Sequence, residues 1–405
     1  MKNLLIAQSG GPTAAINASL TGVLREAFLS EKIGEVYGGV HGIQGMLEGK
    51  VISLSERFKD NEDALNRLYF TPDMYLRTCR YKMKSLSEDE TDYKAMAQLF
   101  KKYDIGYFLY TGGNDSMNTV AALSGYVKAQ GLDVNVIGVP KTVDNDLVGI
   151  DHTPGFGSAA KYVAATVREI MLDTCLYPFD NVAVVEIMGR DAGWLTAAAS
   201  LSPIEDWDVQ PLIWLPEMPF EKERFMNMVE KRLKKDGFCV AAVSEGIRYE
   251  DGSYVSAGEA KSDTFGHPLL SGTGRVLTDM IKNRTGAKVR SIELATAQRS
   301  AGHFSSDTDL GEAFELGRRA CRYAISGMTG IMSTLERISD EPYKVEYKTA
   351  DVTQIADKVK NVPEDWIDKE NLSVTHEMIK YLKPLITGEP SITFKDGLPD
   401  YIVMN

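Results

Sequence analysis

The stretch from Pro140 to Asp146 holds residue types that could carry out chemistry on a charged substrate. Two carboxylates, Asp144 and Asp146, stand two residues apart, with the amide of Asn145 between them and the ammonium of Lys141 nearby. Carboxylates in this arrangement suit a magnesium ion together with a proton transfer. The alternative is a capping turn whose charges are solvated, and the spacing alone leaves both interpretations open.

Three glycine-containing turns are candidate anion-binding loops. They are Ser9–Pro12, Thr111–Ser116 and Met188–Asp191, and each follows a predicted strand. Glycine lets a backbone approach a phosphate closely, and the N-terminus of a following helix offers free N–H groups. None of the turns fits the Walker or dinucleotide-binding spacing, which disfavours an ordinary P-loop nucleotidase or a dehydrogenase. A tight connection without a ligand is the alternative for each turn taken singly.

Apolar runs precede these motifs and must position them. Because the runs are apolar throughout and lead into helix-like segments, the pattern predicts buried parallel strands in an α/β fold. Ligands bind at the carboxyl ends of such strands, which is where every motif lies. Glu88–Tyr103 and Gly311–Met328 have helical spacing, whereas the chain from about Asp340 predicts an irregular extension. The apolar runs are Leu4–Ala7, Ile105–Tyr110, Val134–Val139, Val182–Ile187 and Val240–Val243.

The composition excludes several classes of partner. The 405 residues carry a formal net charge of -12 without a block of basic residues, so neither nucleic acid nor a membrane is expected as a partner. No apolar run in the sequence is long enough to span a bilayer. The four cysteines are far apart and lack zinc-ligand spacing, so we expect a reduced, cytoplasmic protein.

The motifs, in their order along the chain, resemble those of the phosphofructokinase family. The resemblance implies two Rossmann-like lobes with largely parallel sheets flanked by helices, and an active site in the cleft between them. It also implies phosphoryl transfer to fructose 6-phosphate. The matching segments are Ser9–Gly11, Gly112–Ser116, Pro140–Asp146, Met188–Arg190 and Ser244–Gly246.

Stretches rich in glycine and small polar residues predict where the chain crosses between the lobes. We expect a phosphoryl-donor lobe that comprises residues 1–155 and about 305–370. The sugar-phosphate lobe is expected to comprise residues from about 156 to 304 and from about 371 to 405. Each lobe would therefore be discontinuous in the sequence.

The resemblance also implies roles on the acceptor side. Asp144 would be the general base that takes the proton from the sugar's 1-hydroxyl, and Thr142 would hold the sugar beside it. Asp146 would place magnesium, and Asn114 stands where the family usually has an aspartate ligand of that ion. An amide oxygen can coordinate magnesium without adding charge. The other implied sugar-phosphate residues are Met188, Gly189, Arg190, Glu245, Arg299, Tyr381 and Lys383.

The choice of phosphoryl donor depends on two positions. ATP-using members of the family usually have glycine where this chain has Asp115 and Lys141, which leaves space for a nucleotide's α-phosphate. The Asp115 carboxylate would occupy that space, and the Lys141 ammonium can neutralise a pyrophosphate leaving group. Gly11 and Arg80 match donor-phosphate positions. The resemblance therefore implies a reversible, magnesium- and pyrophosphate-dependent phosphotransferase that serves glycolysis and gluconeogenesis.

Two other functions stay open at this point. An ATP-dependent phosphofructokinase has the same fold, and a catalytically silent sugar-phosphate-binding subunit would keep the fold without turnover. In the tetrameric ATP enzymes, an arginine at the position of Asn181 reaches a neighbouring subunit. Because this chain lacks that arginine, we expect a homodimer, with a homotetramer as the alternative.

Overall fold

The strands in the described part of the protein form two main sheets and two short hairpin pairs. The structure is a computed structural model, in which residues 1–256, 272–355 and 358–404 are described. In chain order the strands are β1 (Lys2–Gln8), β2 (Ile33–Gly39), β3 (Val51–Ser53), β4 (Ile105–Gly112), β5 (Asn135–Pro140), β6 (Asn181–Ile187), β7 (Leu212–Trp214), β8 (Phe238–Ser244), β9 (Lys288–Glu293), β10 (Ile331–Asp340), β11 (Tyr343–Asp351), β12 (Ile367–Asp368), β13 (Ser373–Val374), β14 (Phe394–Lys395) and β15 (Leu398–Pro399).

Helices connect most of these strands. Among the described residues, no helix combines the length and the apolar composition that crossing a bilayer requires. Short 3-10 helices lie at Ala198–Leu201, Gly302–Phe304, Val352–Gln354, Glu364–Trp366 and Lys383–Ile386. The α-helices are α1 (Ile16–Leu29), α2 (Gly42–Leu47), α3 (Ser55–Phe58), α4 (Glu62–Phe70), α5 (Thr91–Lys102), α6 (Asn114–Ala129), α7 (Phe156–Thr174), α8 (Trp194–Ala197), α9 (Lys222–Asp236), α10 (Thr273–Thr285), α11 (Ala297–Ser300), α12 (Asp307–Ile325) and α13 (His376–Leu382).

The larger sheet has seven strands in the order β11-β10-β5-β4-β1-β2-β3. The inner pairs are parallel, whereas β2 with β3 and β10 with β11 are antiparallel. Alternate residues of β1 enter two separate cores, with Leu5 and Ala7 in one and Leu4 and Ile6 in the other. A strand that is buried on both faces needs a continuous apolar sequence, which accounts for the predicted strand Leu4–Ala7.

The smaller sheet has four strands in the order β7-β8-β6-β9, and its pairs are all parallel. Its core combines strand residues such as Val184 and Ala241 with residues of α7, such as Val163. The two sheets belong to two lobes, each flanked by helices. This confirms the predicted fold class of two lobes with largely parallel sheets.

The C-terminal part of the chain packs against both lobes. Val362 and Ile367 fall in the predicted donor-lobe segment but lie in the core of the smaller sheet. Ile402 falls in the predicted sugar-phosphate segment but lies in the core of the larger sheet. Glycine-rich stretches indicate where the chain turns, but they do not indicate which lobe a later segment packs against. They therefore do not predict that these three residues lie in the other lobe. The lobe boundaries themselves stay a prediction.

Regular structure continues into the region where we expected an irregular extension. β11 is antiparallel to β10 throughout its length, so that prediction is wrong for this segment. Tyr343, Val345 and Tyr347 are partly buried and alternate with exposed charged residues. This is the pattern of a strand with one buried face, and the charges between the apolar residues obscured it.

The carboxyl ends of β1, β4 and β5 meet at one edge of the larger sheet. The amide of Ser9 donates to the carbonyl of Thr111 over 3.0 Å, and the amide of Lys141 donates to the carbonyl of Gly112 over 3.0 Å. The hydroxyl oxygens of Ser9 and Ser116 are 2.6 Å apart. Because the strand order reverses between β1 and β4, this edge is a topological switch point, where α/β sheets bind ligands.

A buried ionic cluster holds the connection between β5 and α7. His152 is 2% exposed, and its ring nitrogens lie 2.7 Å from a carboxylate oxygen of Asp151 and 2.6 Å from one of Glu312. The hydroxyl of Tyr343 donates to Glu312 over 2.6 Å, and Arg337 lies 3.2 Å from Asp151. Burial lowers the pKa of His152, but the charge of Glu312 and the hydrogen bonds outweigh it and raise the pKa to about 9. The imidazole is therefore charged at neutral pH.

Replacing His152 by glutamine should destabilise the protein by about 3 kcal/mol at a pH near the ordinary histidine pKa. Because the pKa is raised, the stabilisation is fully present below 6.5 and is lost as the pH rises through about 9. The difference in free energy of unfolding, measured by urea denaturation, should therefore shrink as the pH rises. His376→Gln, at an exposed position, is the control. A difference that stays constant with pH would contradict the ionic interpretation.

Candidate active site

The turn after β1 and the first residue after β5 form one corner of the candidate site. Gly10 has a φ of 79°, and a Cβ at that position would lie 3.2 Å from Nζ of Lys141. The Lys141 side chain is buried and donates to the carbonyl of Gly11 over 2.6 Å. Burial lowers the pKa of Lys141 to about 8, although the charge of Asp144 opposes this. A buried ammonium beside a glycine turn is suited to hold an anion.

The loop after β5 reverses direction at Asn145. This residue has a φ of 55°, in the left-handed region that asparagine tolerates better than most residues. Its Nδ2 donates to the hydroxyl of Tyr381 over 2.8 Å, and its Oδ1 accepts from the amide of Thr153 over 3.1 Å. Because both ends of the amide are anchored, the flanking carboxylates of Asp144 and Asp146 are held in place.

Asp144 lies among cations that come from both lobes. Burial raises the pKa of this carboxyl, whereas the charges of Lys141, Arg190 and Arg299 lower it. The amide of Asp144 donates to the hydroxyl of Thr142 over 3.1 Å. Arg190 follows β6 and Arg299 follows β9, so the smaller lobe supplies two of the three cations. A carboxylate with a raised pKa accepts a proton more readily than an exposed one.

Asn114 and Asp146 form a pair of oxygen-bearing side chains at the start of α6. Nδ2 of Asn114 donates to the carboxylate of Asp146 over 3.1 Å. Within the described residues, Oδ1 of Asn114 is buried and has no hydrogen-bond partner. Burial and then the charge of Asp144 raise the pKa of Asp146 to about 6. A cation at this pair would satisfy the amide oxygen and favour the ionised carboxylate.

The turn after β6 is held by residues at the end of β8. Gly189 has a φ of 134°, its amide donates to the carboxylate of Glu245 over 3.4 Å, and its carbonyl accepts from the hydroxyl of Ser244. The amide of Met188 donates to Gln298 over 3.3 Å. Burial, together with neighbouring negative charge, raises the pKa of Glu245 to about 7. These contacts fix the turn at the carboxyl end of the smaller sheet.

Arg299 brings the smaller lobe to the glycine turn of the larger one. A Cβ at Gly11 would lie 3.2 Å from Nη1 of Arg299. Within the described residues, Nε of Arg299 is buried without a hydrogen-bond partner. Burial lowers the pKa of Arg299, the charge of Asp73 raises it, and the charge of Arg80 lowers it again. Arg80 therefore acts on Arg299 as a nearby like charge.

Four of the predicted site residues lie at the margin of this cleft or outside it. Asp115 is exposed in the first turn of α6, Lys383 is exposed at the end of α13, and Arg80 is exposed in the loop before α5. Tyr381 is buried, and its hydroxyl donates to the carbonyl of Asp151 over 2.8 Å while it accepts from Asn145. The Tyr381 hydroxyl thus supports the loop after β5 from behind. The predicted residues that lie together are Gly11, Asn114, Lys141, Thr142, Asp144, Asp146, Met188, Gly189, Arg190, Glu245 and Arg299.

Two charged residues that support the site were missed in the sequence. The ammonium of Lys360 donates to the carbonyl of Asp151 over 2.6 Å, across 209 positions of sequence. The carboxylate of Glu217 accepts from the amide of Val362 over 3.0 Å, across 145 positions. Neither residue belongs to a motif, and a single lysine or glutamate in a polar stretch normally predicts a solvated side chain. No sequence signal could have found them.

Comparisons with known proteins agree along the whole chain. The family model described as phosphofructokinase matches residues 3–324. A pyrophosphate–fructose 6-phosphate 1-phosphotransferase of Xanthomonas campestris pv. campestris is 40% identical over 99% of this chain and 95% of the relative. A protein of the same name from Methylococcus capsulatus is 38% identical over 100% of this chain and 96% of the relative. The crystal structure of a pyrophosphate-dependent phosphofructokinase from Nitrosospira multiformis has a TM-score of 0.90 at 38% identity, with 99% of this chain and 96% of that chain covered. This chain therefore belongs to the phosphofructokinase family.

Proposed function

We propose that this chain transfers a phosphoryl group from inorganic pyrophosphate to the 1-hydroxyl of fructose 6-phosphate, giving fructose 1,6-bisphosphate and phosphate. The observation that carries the proposal is the buried Lys141 ammonium, which lies between the glycine turn after β1 and the carboxylate of Asp144. Relatives named for this reaction match the full length of the chain. A silent sugar-phosphate-binding subunit would need neither group at this position.

Asp144 is the general base of the proposed reaction. Its carboxylate takes the proton of the 1-hydroxyl while that oxygen forms its bond to phosphorus. Burial raises the pKa of Asp144, which favours proton acceptance, and the surrounding cations favour the ionised form that must be present beforehand. Arg190 and Arg299 bind the sugar phosphate, and Glu245 accepts hydrogen bonds from the sugar's hydroxyl groups. Positioning of this kind supplies much of the rate in phosphoryl transfer.

Lys141 acts on the donor side. As the bond between phosphorus and the bridging oxygen breaks, negative charge develops on the departing phosphate. The Lys141 ammonium, with help from Arg80, neutralises that charge. The turn at Gly10 and Gly11 has no side chains to keep the donor away, so its backbone can approach the pyrophosphate.

Magnesium fits the pair Asn114 and Asp146. The described part of the chain contains no group of three or more His, Cys, Asp or Glu side chains that could hold a metal ion by themselves. Magnesium in phosphoryl-transfer sites is typically held by one or two carboxylates together with substrate phosphates and water, and it neutralises charge on the phosphate oxygens. The buried, unpartnered Oδ1 of Asn114 and the carboxylate of Asp146 are suitable ligands for such an ion.

Asp115 selects pyrophosphate over ATP in this proposal. Its carboxylate stands in the first turn of α6, where the positive end of the helix would otherwise attract a further phosphate. Pyrophosphate has two phosphates and ATP has three, so a carboxylate beyond the second phosphate repels only the nucleotide. The proposed donor is therefore pyrophosphate.

The proposed setting is a homodimer in the cytoplasm, with a homotetramer as the alternative. Asn181 is 1% exposed, and its amide donates to the carbonyl of Thr174 in the same lobe over 2.9 Å. A side chain that is buried and hydrogen-bonded within its own lobe does not reach a neighbouring subunit. This favours the homodimer over the homotetramer. Cys79, Cys175, Cys239 and Cys321 are free thiols, a state that a reducing compartment would preserve.

The proposed function is tested by initial rates of fructose 6-phosphate phosphorylation with magnesium and either pyrophosphate or ATP. The wild type should have a much higher kcat/KM with pyrophosphate than with ATP. In Asp115→Gly, kcat/KM with ATP should rise at least about 10-fold because a like charge is removed from the α-phosphate position. Asp63→Gly, in the exposed first turn of α4, is the matched control and should not change donor choice. A wild type that prefers ATP would overturn the donor assignment.

Asp144→Asn should lower kcat by about 100- to 10,000-fold because an amide cannot accept the proton. The side chain keeps its size, so the dissociation constant of fructose 6-phosphate, measured by calorimetry, should change only a few-fold. Asp133→Asn, at an exposed position outside the cleft, serves as the control. A variant with kcat near the wild-type value would rule out Asp144 as the base.

The kcat/KM of the wild type should fall on the alkaline side with an apparent pKa near 8, as Lys141 of the free enzyme loses its proton and with it the positive charge. In Lys141→Met the residual rate should be low at every pH, and this alkaline fall should be absent. Lys128→Met, an exposed lysine of α6, should keep the wild-type profile. If the alkaline fall persists in Lys141→Met, another group is responsible for it.

A further inference from the structure

A short C-terminal segment, residues 358–362, runs from the loop after β5 to the turn after β6, and we call it the strap. At one end, the amide of Lys360 donates to the carbonyl of Asp146 over 2.8 Å. At the other end, the amide of Val362 donates to the carboxylate of Glu217 over 3.0 Å. Within three residues, the strap therefore contacts the loop after β5, which we call the catalytic loop, and Glu217, which supports the turn after β6 in the smaller lobe.

The Lys360 side chain is directed at the catalytic loop. Its ammonium donates to the carbonyls of Asp151 over 2.6 Å and Ile150 over 3.4 Å, and to Oδ1 of Asn145 over 3.3 Å. The ammonium also lies 5.1 Å from the centre of the Trp194 ring. Because the ammonium donates its hydrogen bonds to the catalytic loop, Lys360 holds the loop that carries Asp144 and does not act on a substrate.

Glu217 anchors the strap to the sugar-phosphate turn. Its Oε1 accepts from the amide of Gly193 over 2.9 Å as well as from Val362. A Cβ at Gly193 would lie 2.7 Å from Oε2 of Glu217, so only glycine lets the turn approach the carboxylate this closely. One carboxylate oxygen thus joins the strap to the chain that follows Met188, Gly189 and Arg190. Trp194 adds a second link, because its Nε1 donates to the carbonyl of Lys360 over 2.8 Å.

Both charges are held at an energetic cost that packing alone does not explain. Burial lowers the pKa of Lys360 to about 8 and raises the pKa of Glu217. An apolar side chain at either position would avoid this desolvation. What the charged groups add is directed hydrogen bonding to two loops that belong to different lobes. In phosphoryl transfer such directed contacts matter, since a displacement of about 1 Å can cost about 100-fold in rate.

We infer that the strap sets the position of the general base relative to the bound sugar, with Lys360 and Glu217 as its two positioning residues. The inference rests on the proposed function, because it is that reaction which requires the loop after β5 and the turn after β6 to contact the same substrate. Lys360 acts through Asn145 and the backbone of the loop, and Glu217 acts through Gly193. Losing either contact frees one end of the strap and lets the two loops move relative to each other.

The test is a double-mutant cycle with Lys360→Met and Glu217→Met, which remove the charges and keep side-chain length. Each single variant should lower kcat about 10- to 100-fold, while the dissociation constant of fructose 6-phosphate stays within about threefold of the wild type. The double variant should lose no more than about the larger single effect, because both act through one strap. Glu217→Gln keeps an acceptor oxygen and should recover most of the rate, and Lys358→Met, at an exposed strap position, should match the wild type.

Hydrogen–deuterium exchange tests the strap without relying on turnover. Lys360→Met should speed exchange in residues 188–193 of the other lobe, and Glu217→Met should speed it in residues 142–151. The inference would be overturned if exchange changed only beside the substituted residue. It would also be overturned if the losses in kcat of the two single variants multiplied in the double variant. If the wild type shows no turnover with pyrophosphate, the proposed function fails, and the exchange result alone decides whether the strap couples the loops.

Discussion

The burial of charged side chains at the end of β5 is the constraint on which the rest of the structure depends. Lys141, Asp144 and Asp146 all lie where burial opposes their ionised forms. An isolated charge in such a place would be neutralised by a shift of its pKa. The fold therefore has to surround these groups with opposite charges and with aligned backbone groups. The same arrangement gives the site its chemical properties, since a carboxylate with a raised pKa accepts a proton more readily and a buried ammonium acts on nearby charge with little screening by water.

The two-lobed architecture meets this constraint by supplying charges from two directions. The larger sheet places the turn after β1 and the loop after β5 next to each other at its switch point, and Lys141 spans them. The smaller sheet adds Arg190 and Arg299, whose charges act on Asp144 from the other side. Glycine at positions 10 and 11 keeps the space between these cations open. The cleft can therefore attract a multiply charged anion.

Support from behind the loop after β5 comes from segments that are remote in the sequence. Tyr381 and Lys360 contact Asn145, while His152 joins the same connection to α12 through Glu312. These contacts join residues that are far apart in the sequence, and they involve polar groups whose hydrogen bonds depend on direction. The contacts of Tyr381 and Lys360 bring the C-terminal part of the chain to the loop after β5, a return that glycine-rich stretches do not indicate.

The sequence by itself determined the buried parallel strands β1, β4, β5, β6 and β8 and the order of the motifs that follow them. Continuous apolar runs and glycine turns depend on local backbone preferences, which act between near neighbours along the chain. Tertiary structure alone decided that Tyr381 supports the loop from behind, that Lys383 is exposed, and that Lys360 and Glu217 contact the two loops. A polar side chain in the sequence has many possible partners, and only the packing of distant segments selects one. Burial, which sets the pKa values at the site, is likewise a property of the folded chain and has no local sequence signature.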